Sequence, residues 1–146
     1  MSKRINIYNL EPEAYKALRE LEKYLAASKL NPLLKELIKI RASQINGCAY
    51  CINMHTRDAR KLGETEQRIY ALSAWWDTPY FTEEEQAVLA LTEEVTRISN
   101  RVSDETYNRA AKVLDEHALA QVIMAIIAIN SWNRISITTR LEPTDH

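Results

Sequence analysis

Residues 36–63 read ELIKIRASQINGCAYCINMHTRDARKLG, and both halves of this stretch carry a helical repeat. In the first half Leu37, Ile38, Ile40 and Ile45 continue a series begun by Leu33 and Leu34, at the spacing that lines one face of a helix. Asn46-Gly47 then breaks the chain. In the second half Cys51, Met54, His55, Ala59 and Leu62 recur every three or four residues up to Gly63, where a glycine suits the left-handed conformation just past a helix end. Two helices joined by a tight turn are predicted, the second opening at or near Cys48.

The pattern extends outward. Tyr15, Leu18, Leu21 and Leu25 predict a helix starting near Glu11-Pro12, and Asn31-Pro32 offers a cap and a first-turn proline for the helix that carries Glu36. Thr65 can cap a fourth helix, through Ile69, Leu72 and Trp75 to Asp77-Thr78-Pro79. Thr82 with Glu85 makes a capping box for Val88, Leu89, Leu91, Val95 and Ile98. Ser103 opens a sixth helix with Tyr107, Ala110, Ala111 and Leu114 facing inward. A last helix spans about Ala118 to Ile135 around Val122, Ile123, Ile126, Ile127 and Ile129. Only RISIT, residues 134–138, hints at strand alternation. The expectation is an all-α bundle of six or seven helices, one domain over residues 1–146.

Composition agrees and removes some functions. The 146 residues include only 2 glycines and 4 prolines, which fits long helices and short loops. Apolar residues at 46% and charged residues at 27% describe a globular chain. Lysine plus arginine (19) balances aspartate plus glutamate (20) without blocks of one sign. Nucleic-acid binding needs a concentrated basic face and has no support. The opening MSKRINIYNL lacks the apolar centre of a secretory signal. The most apolar run, ALAQVIMAIIAI at 118–129, is shorter than the roughly 20 residues that cross a bilayer, so no membrane role is expected. A reducing cytoplasm is the expected compartment, where a cysteine pair is more often catalytic or metal-binding than structural.

Both cysteines of the chain, Cys48 and Cys51, lie three apart behind the Gly47 break. A helix start favours thiolate over thiol. His55, four residues past Cys51, lies one turn above it and can accept a thiol proton or pair with a thiolate. Cysteines at this spacing can also close a disulfide with little backbone movement. Glu36 stands twelve residues before Cys48 in an apolar helix. Facing inward, its carboxylate needs a partner such as this cysteine–histidine pair; facing solvent, it would pair with Lys39 or Lys35.

The stretch 36–63 resembles the core motif of alkylhydroperoxidase D-like (AhpD-like) proteins in the carboxymuconolactone decarboxylase superfamily: a glutamate, CxxC twelve residues on, and a histidine four beyond. Glu36, Cys48, Cys51 and His55 keep every spacing. The likeness continues through RIYALSAWWDTPYFTEEEQAVLALTEEVTRIS at 68–99 and INSWNRISI at 129–137, so it covers roughly residues 30 to 137. It implies an all-helical homo-oligomer, a trimer or hexamer. It also implies a thiol-dependent peroxidase that uses no metal or organic cofactor and is recycled by an external dithiol, protein or lipoyl-type. On the same resemblance Cys51 attacks a small-molecule peroxide and Cys48 resolves it as a disulfide, while Glu36 and His55 relay protons. The best-known members carry a histidine inside the CxxC where this chain has Tyr50, a phenol that can donate a hydrogen bond but does not relay protons at neutral pH.

Other readings compete. Two cysteines, His55 and Glu36 could ligate zinc. The chain could be a superfamily lyase acting on a small lactone acid, or a non-catalytic helical module whose thiols sense oxidation. His117 reads as a capping or surface residue and His146 as a disordered end. Trp75, Trp76, Tyr80 and Phe81 read as core or subunit contacts. Asn130, Trp132 and Asn133 read as packing or oligomer contacts, with Arg134 a distant candidate for the site.

Overall fold

Asn31 and Gly47 fix the two ends of the central helix in the computed structural model, which describes residues 3–145. The described residues form eight α-helices and no strand: α1 (Ile7–Leu10), α2 (Pro12–Ala27), α3 (Pro32–Asn46), α4 (Ala49–Lys61), α5 (Glu66–Ala71), α6 (Glu83–Thr96), α7 (Asp104–Val113) and α8 (Glu116–Thr139). Asn31 Oδ1 accepts the Leu33 N–H at 2.8 Å at the start of α3. Gly47 ends it with φ +74°, a conformation that strains any residue with a Cβ.

Most of the predicted boundaries hold because the caps are real. Thr65, Ser103 and the reciprocal Thr82–Glu85 box all bond their helix N-termini. Three differences have local causes. A four-residue turn, α1, precedes α2 and brings the count to eight. The fourth predicted helix breaks at Leu72 into tighter turns through Asp77, because Ala74 leaves helical geometry. The last helix starts two residues earlier, capped by Asp115 Oδ1 on the Ala118 N–H, and absorbs RISIT as helix. His117 sits exposed in its first turn, and His146 lies outside the described residues.

The long helices pack around α3, which is covered by α4, α6 and α8. Leu37, Ile38 and Ile40 are wholly buried, each contributing about 1.5–3 kcal/mol from burial. On α8 the inward strip is Val122, Ile126, Ile129, Asn133 and Ser136. Ile127, expected in the core, is 43% exposed because its position turns about 100° away from that strip. Tyr107 and Ala111 are also exposed, whereas Ala110 and Leu114 are buried. Of the aromatic cluster, Trp75 and Phe81 are buried, and Trp76 and Tyr80 are exposed.

The 129–137 segment supplies a polar lock inside this core. Asn46 Nδ2 donates to Asn130 Oδ1 and Asn133 Oδ1, both at 2.9 Å, and Asn133 Nδ2 donates to Ser43 Oγ at 3.0 Å. Asn130 Nδ2 reaches Thr96 Oγ1 on α6 at 3.1 Å. These bonds pin the C-terminus of α3, two residues before Cys48, to α8. By length and composition α8 could cross a membrane, the one such helix among the described residues. Here it is packed against α2, α3, α4, α6 and α7.

Candidate active site

Cys48 is the N-cap of α4. The left-handed turn at Gly47 lets the Cys48 N–H return to Ser43 O at 2.9 Å, which aims the cysteine back over the helix start. Its sulfur accepts the Cys51 N–H at 3.3 Å, and Cys48 and Cys51 are joined by a disulfide with Cα atoms 5.3 Å apart. Both are buried, but only Cys51 borders the adjoining cavity.

Glu36 faces inward, 8% exposed. One carboxylate oxygen lies 3.0 Å from His55 Nδ1, and the other lies 3.7 Å from Lys39 Nζ. An ionised carboxylate only accepts, so in this contact Nδ1 carries the proton and a neutral imidazole keeps Nε2 open. The pairing with Lys39 expected of a solvated glutamate therefore occurs inside the protein, alongside the histidine contact. Lys35 goes elsewhere: its Nζ donates to Leu25 O at 2.8 Å. Burial and the neighbouring Lys39 hold the Lys35 ammonium below its ordinary pKa, partly offset by Glu36 and Glu22.

The cavity measures about 340 Å³. Tyr50, Cys51, Met54, His55 and Asp58 line it from α4, and Lys39 lines it from α3. Tyr15, Arg19 and Glu22 close it from α2, with Trp132, Ile135 and Ser136 from α8 and Leu141 beyond. Glu22 accepts the Trp132 indole N–H at 3.1 Å and lies 3.4 Å from Lys39 Nζ. Tyr15 stands edge-on to Trp132, centroids 5.0 Å apart, and the Arg19 guanidinium covers the Tyr15 ring.

Glu36 thus meets His55, Cys48 is bonded to Cys51, and Tyr50, Cys51 and His55 line one cavity. Arg134 is not part of the cavity and donates to Asn130 Oδ1 at the surface. Sequence reading missed Glu22, Arg19 and Tyr15, although their spacing of four and three residues marks one face of α2. It missed Asp58, three residues past His55 on the same face, and took Trp132 for a packing or oligomer contact. Glu36, His55 and Asp58 offer three ligand atoms within 4.8 Å of one another, the one such group among the described residues that could hold a metal ion. The Lys39 ammonium beside Glu36 opposes a second cation there.

Comparison with known proteins places this arrangement. Residues 12–94 match the carboxymuconolactone decarboxylase family. The uncharacterised protein YdfG of Bacillus subtilis (strain 168) is 51% identical over 138 residues, 94% of each chain. A crystal structure of an Agrobacterium tumefaciens protein of unknown function, proposed as the antioxidant defence protein AhpD, superposes with TM-score 0.95 at 37% identity over 99% of this chain and 100% of that one. The debrominase Bmp8 in complex with 2,3,4-tribromopyrrole shares the fold, with TM-score 0.85 at 19% identity over 94% of this chain and 74% of that one. The helices, the cysteine pair and these likenesses agree: the chain belongs to the carboxymuconolactone decarboxylase family, in its AhpD-like part.

Proposed function

We propose that the protein is a thiol-dependent peroxidase. One observation carries the proposal: of the two sulfurs only Cys51 borders the cavity, one helical turn from His55, whose Nδ1 is tied to Glu36. In the reduced protein His55 Nε2 takes the Cys51 proton. The thiolate attacks the O–O bond of a hydroperoxide, becoming a sulfenic acid as the alkoxide leaves and is protonated to the alcohol. The Cys48 thiol then displaces water from the sulfenic acid, giving the Cys48–Cys51 disulfide. An external dithiol, protein or lipoyl-type, restores both thiols by exchange and is itself oxidised. The cycle uses no metal or organic cofactor, and we assign it to the cytoplasm. Cys51 over Cys48 as attacking sulfur is favoured by cavity access and the histidine, against the pull of the helix start on Cys48.

Homo-oligomerisation to a trimer or hexamer belongs to the same proposal. Ile98, Tyr107 and Ile127 expose apolar surface along one groove between α6, α7 and α8, the face a second copy would cover. Light scattering of the purified protein tests it; a monomer at all concentrations removes it.

Stopped-flow oxidation of the reduced protein by hydrogen peroxide and an organic hydroperoxide, followed by intact mass, tests the chemistry. The expected result is disulfide formation and turnover with dithiol, both lost in Cys51→Ser. Appreciable turnover in that variant overturns the cycle. The aromatic walls formed by Tyr15, Tyr50 and Trp132 favour a second reading, reductive dehalogenation. There the Cys51 thiolate takes halogen from a haloarene, the arene carbon gains a proton, and Cys48 expels halide to form the disulfide. Halide release from bromopyrrole with dithiol, without peroxide turnover, would favour it.

A further inference from the structure

The Glu36–His55 contact is one end of a longer chain. Trp132 Nε1 donates to Glu22 at 3.1 Å, Glu22 lies 3.4 Å from Lys39 Nζ, and Lys39 lies 3.7 Å from the Glu36 oxygen that does not meet His55. Side chains of four helices are therefore linked through one ammonium, whose side chain is 12% exposed: Glu22 and Glu36 touch it, and Trp132 and His55 join through them. A carboxylate as buried as Glu36 stays ionised only if its charge is balanced. The Glu36 contact to His55 leaves one oxygen for that purpose, and Lys39 faces it. Glu22 draws the same ammonium the other way and is itself aimed by the indole.

We propose that Lys39 is a positioning residue whose charge, shared between Glu36 and Glu22, sets the pH at which Cys51 gives up its proton. This rests on the assignment of Cys51 as the working thiol but not on the oxidant. With Lys39 in place Glu36 accepts the Nδ1 proton and Nε2 is free to receive the thiol proton. Without it the second Glu36 oxygen faces the buried site with no cation beside it, the carboxylate that orients His55 loses its counter-charge, and the cavity loses a cation that favours thiolate. Glu22 acts in the opposite sense, because neutralising it leaves the whole Lys39 charge to the Glu36 side. The charged and titratable groups facing this cluster are Tyr15, Arg19 and Glu22 on α2 and Lys35 on α3. Tyr50, Cys51 and Asp58 face it from α4, whereas α8 contributes Trp132, Ile135 and Ser136, none of which titrates in this range.

The test is the pH dependence of iodoacetamide alkylation of Cys51 in the full chain carrying Cys48→Ser, a readout that needs no peroxide chemistry. In that background Lys39→Met is expected to move the alkylation midpoint up by about one unit or more, the order of shift that removing an opposite charge from a thiolate's cavity produces. Lys39→Arg should return it, and Glu22→Gln, which keeps an acceptor for Trp132, should move it down. A purely structural lysine would lower the melting temperature and leave the midpoints alone. Unchanged midpoints, or a shift of the same sign in Lys39→Met and Glu22→Gln, overturn the proposal. Should Lys39→Met fail to fold, the downward shift in Glu22→Gln decides alone. Opposite shifts in a protein that does not react with peroxide would uphold this inference and sink the peroxidase reading.

Discussion

Asn133→Ala offers a demanding test of what holds the cysteine turn in place. Asn133 is wholly buried and makes two side-chain bonds, accepting from Asn46 at 2.9 Å and donating to Ser43 at 3.0 Å. Neither partner is left bare by the truncation. Asn46 keeps its bond to Asn130, and the Ser43 hydroxyl keeps its donation to Lys39 O at 2.6 Å. The loss is thus two net hydrogen bonds at about 1 kcal/mol each, without a full desolvation penalty. The void left by the carboxamide adds to it, so a total of about 2–4 kcal/mol is expected. For a chain of this size each kcal/mol lowers the melting temperature by about 2–4 °C, so a drop of about 5–15 °C should appear. Urea unfolding of oxidised wild type and variant measures it, with an unchanged slope expected because the same surface is exposed. A loss below about 0.5 kcal/mol, the usual range for surface changes, would refute the view that this network anchors α3 to α8.

Two further expectations follow from the site and its surroundings. Glu36→Gln should slow Cys51 oxidation by about a hundredfold or more, the contribution of positioned acid–base groups. Stability should change little, because Lys39 retains Glu22. A melting drop with an unaltered rate in stopped flow would make Glu36 structural. At Glu85 burial raises the carboxyl pKa, but hydrogen bonds from Arg68 and Thr82 outweigh it and hold the group below its ordinary value. A lowered folded pKa means stability that is present above the ordinary carboxylate range and lost as pH falls through the folded value. Melting curves of Glu85→Gln should therefore show a flatter acid dependence than wild type; an equally steep acid limb would contradict it.

How legible was this in the chain itself? The helices were, because Asn31, Thr65, Thr82 and Ser103 announce their own N-termini and Gly47 and Gly63 their ends. Periodicity also found the apolar inward face of α3, but it left Glu36 open between core and solvent, and the packing of α4 against α3 decides for the core. Periodicity misplaced Ile127, since α8 is apolar nearly all round and its true inward strip includes the polar Asn133 and Ser136. Spacing brought Cys48, Cys51 and His55 together because all three lie on one short piece of chain. Glu22 and Trp132 escaped for the opposite reason: they are 110 residues apart and meet only after α2 and α8 pack. The Lys39 contact was foreseen, but as a surface pair; its burial depends on α2 lying across α3, which no local pattern encodes.

Trp132 gives the cavity a built-in optical reporter. Of the three tryptophans it alone shares a wall with Cys51, while Trp75 is bonded to Glu93 and Trp76 packs against it. A disulfide at short range quenches indole emission by electron transfer, so opening of the Cys48–Cys51 bond should brighten this one fluorophore. With phenylalanine at positions 75 and 76 the remaining signal would follow the redox state of the site in real time, without any added dye.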